Sequence, residues 1–188
     1  MKLNLIFITF FRLFQEPICA DLQRNIKFLD EQSVRKNFAY FYKKCPKVAL
    51  SIPCFLPLKD FTEAQISSGF GTRKHPISGI TKHHNGIDVA CSVREVVATA
   101  TGIIKATGYD TGLGYFVVID HQNSYETTYG HLSKITVQEG QTVNILDTIG
   151  MVGSSGASTG NHIHYEIRKN GILVNPIEYL LLVYVLQK

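Results

Sequence analysis

Glycine is confined to one part of this 188-residue chain. All fifteen glycines fall between Gly69 and Gly171, and the first 68 residues contain none. Glycine destabilises helix interiors and supplies the backbone conformations that tight turns need. A stretch interrupted this often does not build long helices. From Ser67 onward the pattern is instead one of short apolar β-runs separated by turn residues. Val96 to Thr107 is split by Gly102, and Tyr115 to Ile119, Tyr125 to Tyr129, Thr142 to Ile145 and Ile149 to Val152 follow. Asp110-Thr-Gly112 and His121-Gln-Asn123 read as turns. Asn170-Gly171 predicts a type I′ hairpin, because both central residues of that turn need positive φ. Strands at this spacing predict an all-β fold, an antiparallel sandwich or open barrel.

The chain before this region has a different texture. Asp21 to Lys44 contains neither Gly nor Pro, and Leu22, Ile26, Leu29, Phe38 and Phe41 form a loose helical stripe. One or two helices are expected there, as a short N-terminal extension. Lys47 to Leu58 carries Pro53 and Pro57 and is expected to be extended, as an edge strand or linker. Residues 21–56 are thus read as an N-terminal segment and residues 57–180 as the main domain. Residues 181–188 form a tail, and the apolar end of the chain is expected to pack on the sheet as a terminal strand or helix.

Residues 1–20 read as a signal peptide. Lys2 is a short basic region, Leu5 to Phe11 is apolar, and Ile18 and Ala20 stand three and one residues before a cut. That run is too short to span a bilayer as a helix, so no transmembrane anchor is expected. The mature chain is placed in the periplasm or outside the cell. Cys19 would leave with the signal peptide. Cys45 and Cys54 are close enough in sequence for a disulfide in an oxidising compartment, and Cys91 is expected to be a buried small residue. The formal net charge is +4, with no long basic run, which gives no support to a nucleic-acid partner. It is compatible with work near anionic wall polymers.

The histidines carry the chemistry. All seven lie between His75 and His164. In Gly160 to Glu166, GNHIHYE, His162 and His164 are two apart, so on a strand they project to one face with Glu166 following. In His83 to Asp88, HHNGID, Gly86 argues against a helix, which puts His84 in a turn and Asp88 at a strand start. His84, Asp88 and His164 make a two-His, one-carboxylate set that leaves a fourth position for water, the mark of a catalytic rather than a closed zinc site. His131, in TTYGHLS, follows Gly130 at an expected strand end. Ser154 and Ser155 have no base at a defined spacing.

In order, SGFGTR, His84 to Asp88, YGHLS and GNHIHYE resemble the lysostaphin/LytM-type zinc metalloendopeptidases, over roughly Ile66 to Tyr179. The resemblance implies that His84, Asp88 and His164 bind one Zn²⁺, and that His131 and His162 are the catalytic pair. It also implies an all-β domain of the duplicated hybrid motif type, with a groove over an antiparallel sheet. The implied activity is cleavage of peptide cross-links in peptidoglycan. Arg73 and Glu166 are candidate substrate-binding residues, with a structural salt bridge and an outer-sphere role as the respective alternatives. One departure is visible: the family usually has Gly just before the segment Asp147 to Gly150, and here Leu146 stands there. A non-catalytic regulator binding a wall or divisome partner is the competing function. Degenerate members of such families usually lose ligands, and all five positions are filled here. A phosphocarrier domain would not require Asp88.

Overall fold

The computed structural model describes residues 19–58, 65–74, 80–180 and 182. The expected signal peptide and C-terminal tail lie almost wholly outside the described residues. Among the described residues there are twelve strands: β1 (Ile66–Ser68), β2 (Gly71–Lys74), β3 (Thr81–His84), β4 (Ile87–Ala90), β5 (Glu95–Val97), β6 (Gly102–Asp110), β7 (Gly114–Asp120), β8 (Tyr125–Ile135), β9 (Thr142–Val143), β10 (Thr148–Val152), β11 (His162–Lys169) and β12 (Ile172–Val174). Ten of them form one antiparallel sheet with the path β1-β4-β11-β8-β7-β6-β9, and β2 and β3 make a separate hairpin. The barrel is not closed. The β11–β12 turn has φ of 52° at Asn170 and 77° at Gly171, as the Asn-Gly pair predicts.

Strand alternation divides the central sheet into two faces. On β11, Ile163, Tyr165 and Ile167 are fully buried in the core, while His162, His164, Glu166 and Arg168 line a groove of about 670 Å³. On β8, Tyr125 and Tyr129 face the core, and Glu126 and Thr128 face the groove. The core face also holds polar atoms, and those of Thr99, Tyr129 and Tyr165 pair with one another. Thr99 Oγ1 lies 2.9 Å from the Tyr129 hydroxyl and 2.8 Å from that of Tyr165, which removes the cost of burying them.

Helices cover the core face. Residues 19–25 are helical and lead through a 3₁₀ turn, Ile26–Phe28, into α1 (Glu31–Lys44). Asp30 caps α1 by accepting a hydrogen bond from Ser33 N at 2.7 Å, with Glu31 in the first turn and Lys43 and Lys44 in the last, each sign placed where the helix dipole favours it. Val34, Phe38 and Phe41 bury its inner stripe. Two short helices are α2 (Pro46–Ala49) and α3 (Pro176–Leu180). The Lys169 ammonium donates to Leu29 O, and Tyr125 packs edge-on against Tyr179, so α1 and α3 both lie opposite the groove.

Two expectations need correction. Lys47 to Leu58 begins as the α2 turn, not as a strand, and it is woven into the core. Thr101 N bonds to Leu50 O, Phe55 N to Thr99 O and Val97 N to Pro57 O. Only Leu58 makes a β-bridge, to Val96. The second concerns the cysteines: Cys45 is bonded to Cys19, not to Cys54. Cys54 is a free, buried thiol, and burial pushes its pKa up to about 12. The core position of Cys54 removes it from reach, whereas Cys19, at the start of the helical residues 19–25, lies against the end of α1.

Candidate metal centre and groove

Four strands deliver the site. His84 is the last residue of β3, and Asp88 is the second of β4. Between them Gly86 passes so close to β11 that an added Cβ would lie 2.1 Å from Tyr165 O. Only glycine permits this approach, and the approach brings the two ligand candidates back onto the sheet. Asp88 and His164 are directly paired across β4 and β11, so their registers, not their sequence distance, make them neighbours.

The donor atoms converge. His164 Nδ1 is 2.8 Å from Asp88 Oδ1, His84 Nε2 is 3.2 Å from the same oxygen, and the two histidine nitrogens are 3.1 Å apart. Three atoms each about 2.0–2.1 Å from one tetrahedral centre would stand roughly 3.3 Å apart, so the spacing suits a single Zn²⁺. The tautomers suit it too. His84 Nδ1 lies 2.7 Å from Gly69 O, so that nitrogen carries the proton and Nε2 presents its lone pair. On the far side of His164, Nε2 meets Glu166 Oε1 at 3.2 Å, leaving Nδ1 for a metal.

Charge couples the same groups. Burial disfavours charge on His164, but hydrogen bonds to Asp88 and Glu166 outweigh it and raise the pKa to about 9. Burial likewise opposes ionisation of Asp88, yet His164 and His84 hold its carboxyl far below the usual range. Arg73 bonds to the other Asp88 oxygen at 3.3 Å, and Arg168 to the other Glu166 oxygen at 3.3 Å. Glu166 is only 5% exposed and lies behind His164. Despite its burial, its pKa is lowered by His164 and Arg168.

His131 and His162 stand on one side of the cluster. Their ring centres are 4.6 Å apart, and that of His131 is 5.8 Å from His164. His162 Nε2 is 3.8 Å from Asp88 Oδ1, while its Nδ1 lies 2.7 Å from Gly160 O. His131 Nδ1 lies 2.8 Å from Ser155 O, and burial lowers its pKa. His131 is not at a strand end as expected. It sits within β8 at φ 60°, and its amide turns to Leu113 O at 2.6 Å. This local twist carries the ring toward β11. His83 packs edge-on against Phe70, outside the donor set.

The structure gathers His84, Asp88, His164, His131 and His162 around one point, and it adds the backbone carbonyls of Gly69, Gly160 and Ser155, which engage Nδ1 of three of the rings and were not among the expected site groups. Carbonyls have no residue signature, although the loop GSSGASTG that supplies two of them is visible. Among the described residues, His84, Asp88 and His164 form the His/Cys/Asp/Glu group whose ligand atoms all lie within 4.8 Å of one another.

Residues 82–176 match the sequence pattern of Peptidase family M23. The chain is 40% identical over 116 residues to the peptidoglycan DD-endopeptidase ShyA of Vibrio cholerae, covering 61% of this chain and 27% of that protein. A zinc-containing peptidase from Vibrio cholerae superimposes with TM-score 0.56 and 36% identity, over 61% of this chain and 36% of the other. The catalytic domain of lysostaphin from Staphylococcus simulans gives TM-score 0.55 and 28% identity, over 61% and 90%. The chain spans about a quarter of the length of the curated relatives it matches first.

Proposed function

This chain belongs to peptidase family M23, and we propose that it is a zinc-dependent endopeptidase hydrolysing the peptide cross-links of bacterial peptidoglycan. The observation that carries this reading is the convergence of His84 Nε2, Asp88 Oδ1 and His164 Nδ1 in an open groove, with the other nitrogen of each histidine already engaged. The name of the ShyA relative supports peptidoglycan as the substrate. Action on it places the protein in the periplasm or outside the cell. The Cys19–Cys45 disulfide suits that oxidising setting, and it requires any cut to fall before Cys19 rather than after Ala20.

Zinc held by His84, Asp88 and His164 would supply Lewis acidity and an activated water at neutral pH. The protein's own groups do the rest. Arg73 holds one Asp88 oxygen so that the other faces the histidines. Glu166 holds His164 in the tautomer that leaves Nδ1 free, a role in orientation rather than in substrate contact. His131 and His162 each donate Nδ1–H to a carbonyl, which leaves Nε2 of each to take a proton from the attacking water and return one to the leaving amine. Burial lowers the His131 pKa and keeps that ring neutral and ready to accept.

Zinc content and digestion of purified peptidoglycan, with mass analysis of the fragments, test this. His131→Ala and His162→Ala are expected to keep zinc and lose about 10²–10⁴-fold in turnover, whereas His164→Ala loses both. Zinc loss in all three variants would overturn the division of roles. A zinc-loaded protein that releases no fragments would point to the non-catalytic regulator.

A further inference from the structure

The positive charge of the chain is unevenly placed. Residues 19–58 contain seven Lys and Arg against three Asp and Glu, a net +4, which equals the formal charge of the whole chain. No acidic residue occurs from Gln32 to Leu58. The basic side chains there are not scattered: Lys36, Lys43, Lys44 and Lys47 are all exposed along the outer side of α1 and α2, and Arg35, paired with Glu178 at 3.4 Å, borders them. At helical spacing, Lys36, Tyr40 and Lys43 form one stripe of α1, and Lys47 follows on α2. Tyr40 and Tyr42 are 53% and 43% exposed in the midst of these charges.

We propose that this outer face of α1 and α2 docks on an anionic phospholipid surface. Two observations favour a bilayer over a dissolved polyanion. Lysines interleaved with exposed tyrosines match a membrane interface, where phenol rings sit at headgroup level and each basic residue adds attraction to anionic lipid. The second observation is orientation. The inner side of α1 packs on the core face of the sheet, and the groove is on the other face. Docking through α1 therefore leaves the metal centre turned away from the lipid and open to a polymer above it.

Vesicle sedimentation of the full chain tests this independently of the activity of the groove. Vesicles of phosphatidylglycerol and phosphatidylcholine are compared with vesicles of phosphatidylcholine alone. Binding is expected to the first and not the second, and to weaken as salt rises from about 50 to 300 mM, as the Debye length shrinks. The K43Q/K44Q/K47Q variant is expected to bind about a hundredfold more weakly, at roughly fivefold per lysine. K134Q, which removes one charge from β8, is expected to bind like the wild type. Zinc content and the rate of cleavage of soluble cross-linked fragments should be unchanged in the triple variant. Equal binding to neutral vesicles, or retained binding by the triple variant, would overturn the proposal in favour of attachment through the apolar run Leu5 to Phe11. Tighter binding to peptidoglycan sacculi or duplex DNA than to anionic vesicles would overturn it in favour of a polymer.

Discussion

At the scale of single residues, the site is built by what stands behind each ligand. His164 is useful to a metal only if its ring is turned so that Nδ1 faces Asp88, and Glu166 on its far side provides that turn. Truncating Glu166 to Ala is expected to weaken zinc affinity by about 10–100-fold, the usual worth of such a partner. Glu166→Gln, which retains an oxygen acceptor, is expected to lose less. Zinc competition titrations read this directly. A rise in KM with zinc affinity unchanged would return Glu166 to the substrate-contacting role its position in GNHIHYE also allowed. Arg73 is partnered the same way, with its guanidinium on Asp88.

At the scale of elements, the turns are where this chain departs from what its fold prefers. The connection from β9 to β10 passes through Leu146 at φ 69°, the position where the resemblance led to an expectation of glycine. The turn survives because Leu146 N bonds to Ala98 O, Asn144 N bonds to Asp147 Oδ2, and Asp147 N bonds to Asn144 O. The left-handed conformation costs an L-residue about 1–2 kcal/mol, and a leucine that is 47% exposed recovers little of it by burial. Leu146→Gly is therefore expected to stabilise the protein by up to about 1 kcal/mol after the extra freedom of the unfolded chain is counted. That corresponds to a Tm increase of roughly 2–4 °C. Leu146→Ala keeps the Cβ and is expected not to stabilise. A lower Tm for the glycine variant would show that the side chain itself holds the turn.

At the scale of the whole molecule, a buried histidine outside the site links folding to pH. His121 is 2% exposed, with Nδ1 2.9 Å from Thr101 O and Nε2 2.9 Å from Thr127 Oγ1. It ties the β7–β8 turn to the loop before β6. Burial lowers its pKa from 6.5 to about 4. Between those values the unfolded chain binds a proton that the folded one refuses, so stability falls as pH drops through this window. The full effect is about 3 kcal/mol. Denaturant unfolding of metal-free protein between pH 7 and 4 is expected to show this decline. His121→Gln is expected to start less stable at pH 7 and to lose up to one proton from the slope. An unchanged slope would mean that His121 titrates normally. Among the described residues, no helix is long and apolar enough to cross a membrane.

The sequence by itself determined the class of fold and singled out the side chains that the groove gathers. Glycine spacing and Asn170-Gly171 set short antiparallel strands, because backbone conformation at a turn is a local property. The strict period of two on β11 put His162, His164 and Glu166 on one face before any partner was known. Tertiary structure alone decided the rest. Pairing Asp88 with His164 depends on strand register across 76 residues. The placement of His131 depends on a positive φ inside β8 that no local residue preference predicts. The tautomers depend on carbonyls brought up by distant loops. Cysteine pairing went the same way: Cys45 and Cys54 are near in sequence, but hydrophobic burial draws Cys54 into the core while Cys45 meets Cys19. Sequence proximity bounds the entropy of closing a loop, and it does not say which side chain the core will claim.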